Sequence, residues 1–437
     1  MRPLYFIFWF GLGYSFRLFF RKVEEVRPSQ FRFGRTIFVS NHPSAFLDPL
    51  VIARLRKPII YFMTRSDVFN KFTKPLFWLA HMLPIYRQQD GGDSQEKNKK
   101  VFKKATQALA RNRNLLVFGE GITDDIFERR LKPIKKGAIR IGFTALEDLN
   151  WSVEIKVQGL GINYTNPGVF RSDVLIAGAE PIVLNDYKEA YLENPSKVIS
   201  ELNRELESRM QQQITHVKTD ENVLLHERLM MLTRKGMNVA CYDPQLALQE
   251  RWAYSQNLAQ KLNENMLESN SAWPALKDGI SNYFEQLNSA HLFEDEVYNL
   301  EIEKNAIAQL NRKLILWFPI FLLGLLHCAV PYFWVKSFAE KTFKRPVFWS
   351  GAKMGMLLVL LPVWNLLLLI IAAQFIKLHF LIWLFYFVAL NFVAHGFHRF
   401  ITAYRKRSRL KALSAQNLEQ IVEKRSKLIE QLVQLDI

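Results

Sequence analysis

Three stretches fix most of what this chain can fold into. Residues 314–335 form a run of 22 without Asp, Glu, Lys or Arg, and 354–376 a run of 23; a third uncharged run, 378–398, contains His379, His395 and His398. A helix needs about 20 apolar residues to cross the ~30 Å hydrocarbon core of a bilayer. The chain is therefore expected to be integral to a membrane. Its 437 residues are 49% hydrophobic, enough for a folded core besides the spans. The formal charge of +17, from 58 Lys and Arg against 41 Asp and Glu, would suggest nucleic acid in a soluble chain. Beside membrane segments it is explained by anionic headgroups and the positive-inside rule, so membrane lipids and not nucleic acid are the expected partners. Cys241 and Cys328 are the only cysteines, and the second lies within a predicted span. No disulfide framework is expected, and the soluble part is expected to face a reducing cytoplasm.

The chain divides by pattern into five parts. Residues 1–28 begin MRPLYFIFWFGLGYSF, which lacks a small-residue cleavage site. The segment is short for a span, and its aromatics with Arg17, Arg21 and Lys22 suit a helix at the membrane interface; a buried core helix is the alternative. Residues 29–190 alternate strand and helix. Short β-branched or aromatic runs at 36–39, 59–63, 115–118, 153–160 and 174–177 are separated by helical spacing, such as Val101, Ala105 and Leu109 after a cap at Ser94. That alternation predicts an α/β layer with a mostly parallel sheet flanked by helices. Residues 191–312 read as helical, with Val198, Leu202 and Leu206 on one face; 313–400 hold the membrane segments. Residues 401–437 carry a basic cluster, Arg405, Lys406, Arg407, Arg409 and Lys411, ahead of an amphipathic helix. The cluster is expected on the cytoplasmic side. If it shares that side with the α/β layer, an even number of crossings follows residue 311. A hairpin over 354–398 with a re-entrant or interfacial 314–335 meets that condition; three true spans remain the alternative.

Chemistry concentrates at strand ends, where α/β layers place functional loops. SNHPSAFLDPL (40–50) puts His42 directly after a strand and Asp48 six positions on. An imidazole, with an ordinary pKa of about 6.5, can take a proton from a hydroxyl, and a carboxylate on its other nitrogen fixes the tautomer. By themselves these two residues fit a capped turn equally well. Ser44 could act as a nucleophile, as in an esterase, but the chain has no G-x-S-x-G elbow. LPIYRQQ (83–89) places Arg87 after an apolar run, and VFGEGITDD (117–125) ends a strand with Glu120 between two glycines. RLKPIKKGAIRIG (130–142) adds Lys132, Lys135 and Lys136, suited to a phosphate-bearing ligand. His395 and His398 stand three apart, but two histidines alone make an incomplete metal site.

In this order, and with VQGLGINYTNP (157–167) as a fourth stretch, the set resembles the four blocks of the glycerol-phosphate and lysophospholipid acyltransferases, over about residues 30–185. The resemblance implies that His42 is a general base deprotonating an acceptor hydroxyl and that Asp48 orients it, with direct transfer and no acyl-enzyme. Arg87, Glu120 and Gly121 would lie in the acceptor pocket. The donor would be acyl-CoA or acyl carrier protein, with no metal or bound cofactor. The acceptor would be a glycerol phosphate or a lysophospholipid, and the setting a bacterial inner membrane with the catalytic layer on its cytoplasmic face. The chain departs from the family pattern in three ways. Five residues, not four, separate His42 from Asp48, as in the fungal-type glycerol-3-phosphate and dihydroxyacetone-phosphate acyltransferases. Gly119 stands where the third block has Pro, and Ile122-Thr123 where it commonly has Thr-Arg, so the usual phosphate-binding Arg is missing; Lys135, in PIKKG, is the candidate replacement. Gly159 and Gly161 stand where the fourth block has prolines. A non-catalytic lipid-binding or scaffold protein on the same fold is the competing expectation.

Overall fold

The computed structural model describes residues 13–437 apart from 14, 15, 18, 29–32, 54, 56–59, 72, 87–93, 304 and 436. The chain forms two compact units, Met1–His216 and Val217–Ile437.

The first unit is built on one sheet with strands β1 (Phe20–Val26), β2 (Thr36–Ser40), β3 (Ile60–Arg65), β4 (Met82–Ile85), β5 (Asn114–Phe118), β6 (Lys156–Tyr164), β7 (Ser172–Gly178) and β8 (Ile182–Val183). Their order is β1-β7-β6-β2-β5-β3-β4, with β8 beside β6. All pairings are parallel except β6 with β7 and β6 with β8. The mostly parallel α/β layer predicted from alternating elements is therefore present. β2 is buried at all five positions, TIFVS, because it lies mid-sheet with helices on its faces. Its register pairs Ser40 with Phe118 on one side and Leu160 on the other, so β2 and β5 end together just before His42, beside the middle of β6.

Two boundaries differ from the sequence reading. The interfacial helix expected over 1–28 cannot reach its predicted end, because Phe20–Val26 is a strand paired in parallel with β7. FRKVEEV is too polar to read as a strand; at the sheet edge its charged side chains can reach water. The rest of that expectation falls mainly on residues outside those described. The α/β unit also extends past 190, since Val198, Leu202, Leu206 and Met210 of the helix Pro195–Gln211 join Ile37, Val157, Ile139 and Phe143 in one core. Each such side chain taken from water contributes about 1.5–3 kcal/mol, which ties this helix to the sheet.

The second unit is helical. Leu225, Leu229, Trp273, Ile280, Leu428 and Leu432 form its core, drawn from both ends of the unit's sequence. Among the described residues, three helical segments are long and apolar enough to cross a membrane: Ala306–Thr342, Pro346–Phe375 and Phe380–Lys411. The first is a helical run of 37 residues, so by length and composition all three qualify. It contains a π turn at Leu325–Ala329. Pro331 explains this, because it has no N–H to offer the carbonyl four residues back. The basic cluster is also not simply a free surface charge. Lys406 pairs with Asp295, Arg409 with Glu296, and Arg407 with Asn311. Asp295 and Glu296 sit in the first turn of Glu294–Ile302, where the helix dipole favours acids.

Candidate active site

His42 leaves the end of β2 in a turn that returns the chain into the helix Leu47–Ala53. The amide of Leu47 donates to the Ser44 carbonyl at 2.9 Å, and Ala45 takes a left-handed φ of 43°. The side chains of His42 and Asp48 meet: His42 Nδ1 lies 2.8 Å from Asp48 Oδ2. The imidazole is stacked on Phe118 at the end of β5, with ring centroids 4.0 Å apart and planes 17° apart. It keeps 20% of its side-chain surface exposed, while Asp48 has none. With Nδ1 held by Asp48, Nε2 is the ring nitrogen outside that contact.

Asp48 is buried but well supplied with donors. Its Oδ2 also accepts the Ser44 amide at 2.8 Å, and its Oδ1 accepts the Tyr164 hydroxyl at 2.9 Å. Such donors offset the cost of a carboxylate taken out of water. Ser44 thus serves through its backbone. With 1% of its surface exposed, its hydroxyl is not placed as the nucleophile of an esterase.

Glu120 adjoins this dyad. Its Oε2 accepts the His42 amide at 3.2 Å and its Oε1 the Lys132 amide at 3.3 Å. Burial pushes its carboxyl up to about 7, against the lowering effect of those two amides and of the Lys132 charge. Gly121 has φ +73°, and a Cβ there would lie 2.7 Å from Lys135 Nζ, so the lysine passes directly over it. Of the three lysines expected near a phosphate, Lys132 pairs with Asp124 at 2.5 Å and Lys136 donates to Ser200 at 2.7 Å. Lys135 is the one beside Gly121. Arg87 lies outside the described residues.

The departures from the family pattern acquire local reasons. A Cβ at Gly119 would lie 2.7 Å from Ile134 and 2.9 Å from Val39, so the close approach of that loop requires glycine. At Gly161 a Cβ would sit 2.0 Å from the Gln213 carbonyl oxygen, where the chain leaving Pro195–Gln211 presses on β6.

Sequence reasoning brings His42, Asp48, Glu120, Gly121 and Lys135 to one end of the sheet but misses two supports. Asn41 Nδ2 donates to the Ile162 carbonyl at 3.0 Å and its Oδ1 accepts the Ile162 amide at 2.7 Å. Tyr164 reaches Asp48 from 116 residues away. Both lie in stretches singled out in the sequence, yet nothing local distinguishes them from turn and core residues. No group of three metal-ligating side chains occurs among the described residues.

An acyltransferase family model matches residues 20–155, which include the dyad, Glu120, Gly121 and Lys135. No curated protein gives a significant match. Among solved structures the chain is similar to the 1-acyl-sn-glycerophosphate (LPA) acyltransferase PlsC from Thermotoga maritima, at 16% identity and a TM-score of 0.29, covering 46% of this chain and 78% of that one.

Proposed function

We propose that the chain is a membrane-bound O-acyltransferase that moves a fatty acyl group from acyl-CoA or acyl carrier protein to the hydroxyl of a glycerol phosphate or lysophospholipid. The observation that carries this reading is the 2.8 Å contact of His42 Nδ1 with buried Asp48, at the end of β2, in a ring that stays partly exposed. The acceptor hydroxyl attacks the thioester carbonyl while His42 Nε2 takes its proton. Asp48 holds the tautomer and stabilises the imidazolium. The tetrahedral intermediate expels the thiolate, which takes the proton back from His42, so no acyl-enzyme forms. Lys135, over Gly121, and Arg87 are the cations assigned to the acceptor phosphate. The family match over 20–155 supports acyl transfer as the reaction. The five-residue His–Asp spacing makes glycerol-3-phosphate the first acceptor to test, ahead of lysophosphatidate. Three helices fit to cross a membrane among the described residues suit an amphiphilic donor and a lipid product; the setting assigned to the reaction is the cytoplasmic face of a bacterial inner membrane.

The test is purified full-length protein in lipid, given labelled acyl-CoA and acyl carrier protein with glycerol-3-phosphate, lysophosphatidate and a lyso-aminolipid. An ester product is expected with at least one pair, and His42→Ala is expected to lower its rate by about 10²–10⁴ with the fold retained. Wild-type turnover in His42→Ala sinks the assigned base. No product from any pair leaves the scaffold reading in its place.

A further inference from the structure

Tyr164 ends β6, and its ring is fixed on several sides. It stacks on Phe20, with centroids 6.1 Å and planes 21° apart, and meets Phe127 edge-on at 6.5 Å. Its carbonyl accepts Arg129 Nη1 at 2.7 Å, while Arg129 Nη2 reaches the Thr165 carbonyl at 3.1 Å. Both Tyr164 and Asp48 have 0% of their surface exposed. The hydroxyl that this packing aims at Asp48 Oδ1 donates at 2.9 Å. Burial, and then the charge of Asp48, hold the phenol well above its ordinary range, so it remains a donor.

The geometry has a consequence for the dyad. Oδ2 of Asp48 already takes two donors, the Ser44 amide and His42 Nδ1. Oδ1 takes the phenol, which stops the carboxylate turning about its last side-chain bond. We propose that Tyr164 is the positioning residue of this site: through its hydroxyl it fixes the Asp48 carboxylate, and with it the tautomer and direction of the His42 ring. The catalytic consequence rests on the acyl-transfer reading above; the hydrogen-bond chain does not. Without the phenol, Oδ1 becomes a buried acceptor lacking that donor, and the carboxylate rotates to seek another. The bond to His42 Nδ1 then loosens. The neutral imidazole populates the tautomer with its proton on Nε2, which cannot accept a proton from a hydroxyl.

The experiment is Tyr164→Phe in the full-length protein, which deletes the oxygen and keeps the ring. Histidine-selective ¹⁵N NMR, with the His42 signals assigned by their loss in His42→Gln, reads the tautomer directly. Wild type is expected to hold the proton on Nδ1, and Tyr164→Phe to show the second tautomer. In turnover, kcat should fall about tenfold, the scale of one hydrogen bond to a charged group, with KM for the acceptor within about twofold. Phe127→Leu trims the packing against the same ring and keeps the hydroxyl, so it is expected to retain the wild-type tautomer. An unchanged His42 tautomer in Tyr164→Phe overturns the proposal. So does an equal change in Phe127→Leu, which would assign the effect to packing. A tautomer change with no acyl transfer by wild type would leave the positioning role standing and remove the proposed function.

Discussion

Asn41 grips Ile162 by both of its backbone groups, donating to the carbonyl at 3.0 Å and accepting the amide at 2.7 Å. The backbone ladder between β2 and β6 reaches Ser40 and Leu160, and the side chain of the next residue continues it while the main chain turns toward His42. Replacing Asn41 by Leu leaves a buried N–H and C=O without these partners. A loss of about 2–4 kcal/mol is expected, read as a lower unfolding temperature.

Ala45 should tolerate glycine and resist a branched residue. Its φ of 43° lies in the left-handed region, which costs an L-residue about 1–2 kcal/mol and glycine nothing. Ala45→Gly is expected to keep turnover and to hold or raise stability by up to about 1 kcal/mol. Ala45→Val should lower both stability and turnover, because a strained turn carries Asp48 away from His42. Thermal unfolding and initial rates of the two variants check this pair of signs.

Gly161→Ala is expected to be among the costlier single-atom changes in the α/β unit. The added Cβ would stand 2.0 Å from a backbone oxygen of Gln213, which cannot rotate away as a side chain could. Helix and sheet must separate, at about 2 kcal/mol or more. Chemical denaturation should reveal the loss, and a wild-type midpoint would show that this packing is looser than its geometry.

The carboxyl of Glu120 makes stability fall as pH rises. Its folded value of about 7 exceeds its ordinary 4.5 because burial disfavours the charge. Its contribution is therefore complete below pH 4.5 and is withdrawn as pH rises toward 7, by about 3 kcal/mol in all. Unfolding temperatures between pH 5 and 8 should decline in wild type. Glu120→Gln should flatten the decline whatever its effect on absolute stability, and an unflattened curve would assign the titration elsewhere.

Arg425 joins the C-terminal helix Ala415–Gln434 to the acidic turn at Glu294, 2.6 Å away, and also pairs with Glu301. Arg425→Met leaves Glu294 buried without that cation, and a loss of about 3–5 kcal/mol is expected. Adding Glu294→Gln should return part of it, since the stranded charge is then gone. Both variants can be compared by thermal unfolding in the same lipid.

Much of the candidate site is legible in the amino-acid order alone, because its groups stand in short blocks at strand ends. His42 with Asp48, and Glu120 with Gly121, are near neighbours along the chain, so local turn geometry largely determines whether they meet. β1 is not legible in this way. An edge strand can keep charged side chains in water, and FRKVEEV carries no alternation that separates it from a polar connection. The helix Pro195–Gln211 is recognisably amphipathic, but amphipathicity does not name the surface its apolar face covers. For the same reason, Lys406 and Arg409 read only as part of a basic cluster on the cytoplasmic side, whereas the fold sets Asp295 and Glu296 against them.

What the sequence by itself determined is periodic or contiguous: uncharged runs long enough for a bilayer, strands alternating with helices, and polar blocks after strands. These follow from the fixed rise and repeat of each element, which act over a few residues. Only the tertiary structure decided that Tyr164 closes on Asp48 across 116 residues, that Lys135 rather than Lys132 or Lys136 lies over Gly121, and that Asn41 locks Ile162. Those contacts depend on strand order and register, set by how the whole sheet packs against its helices, and no local pattern encodes which distant strand ends will be neighbours.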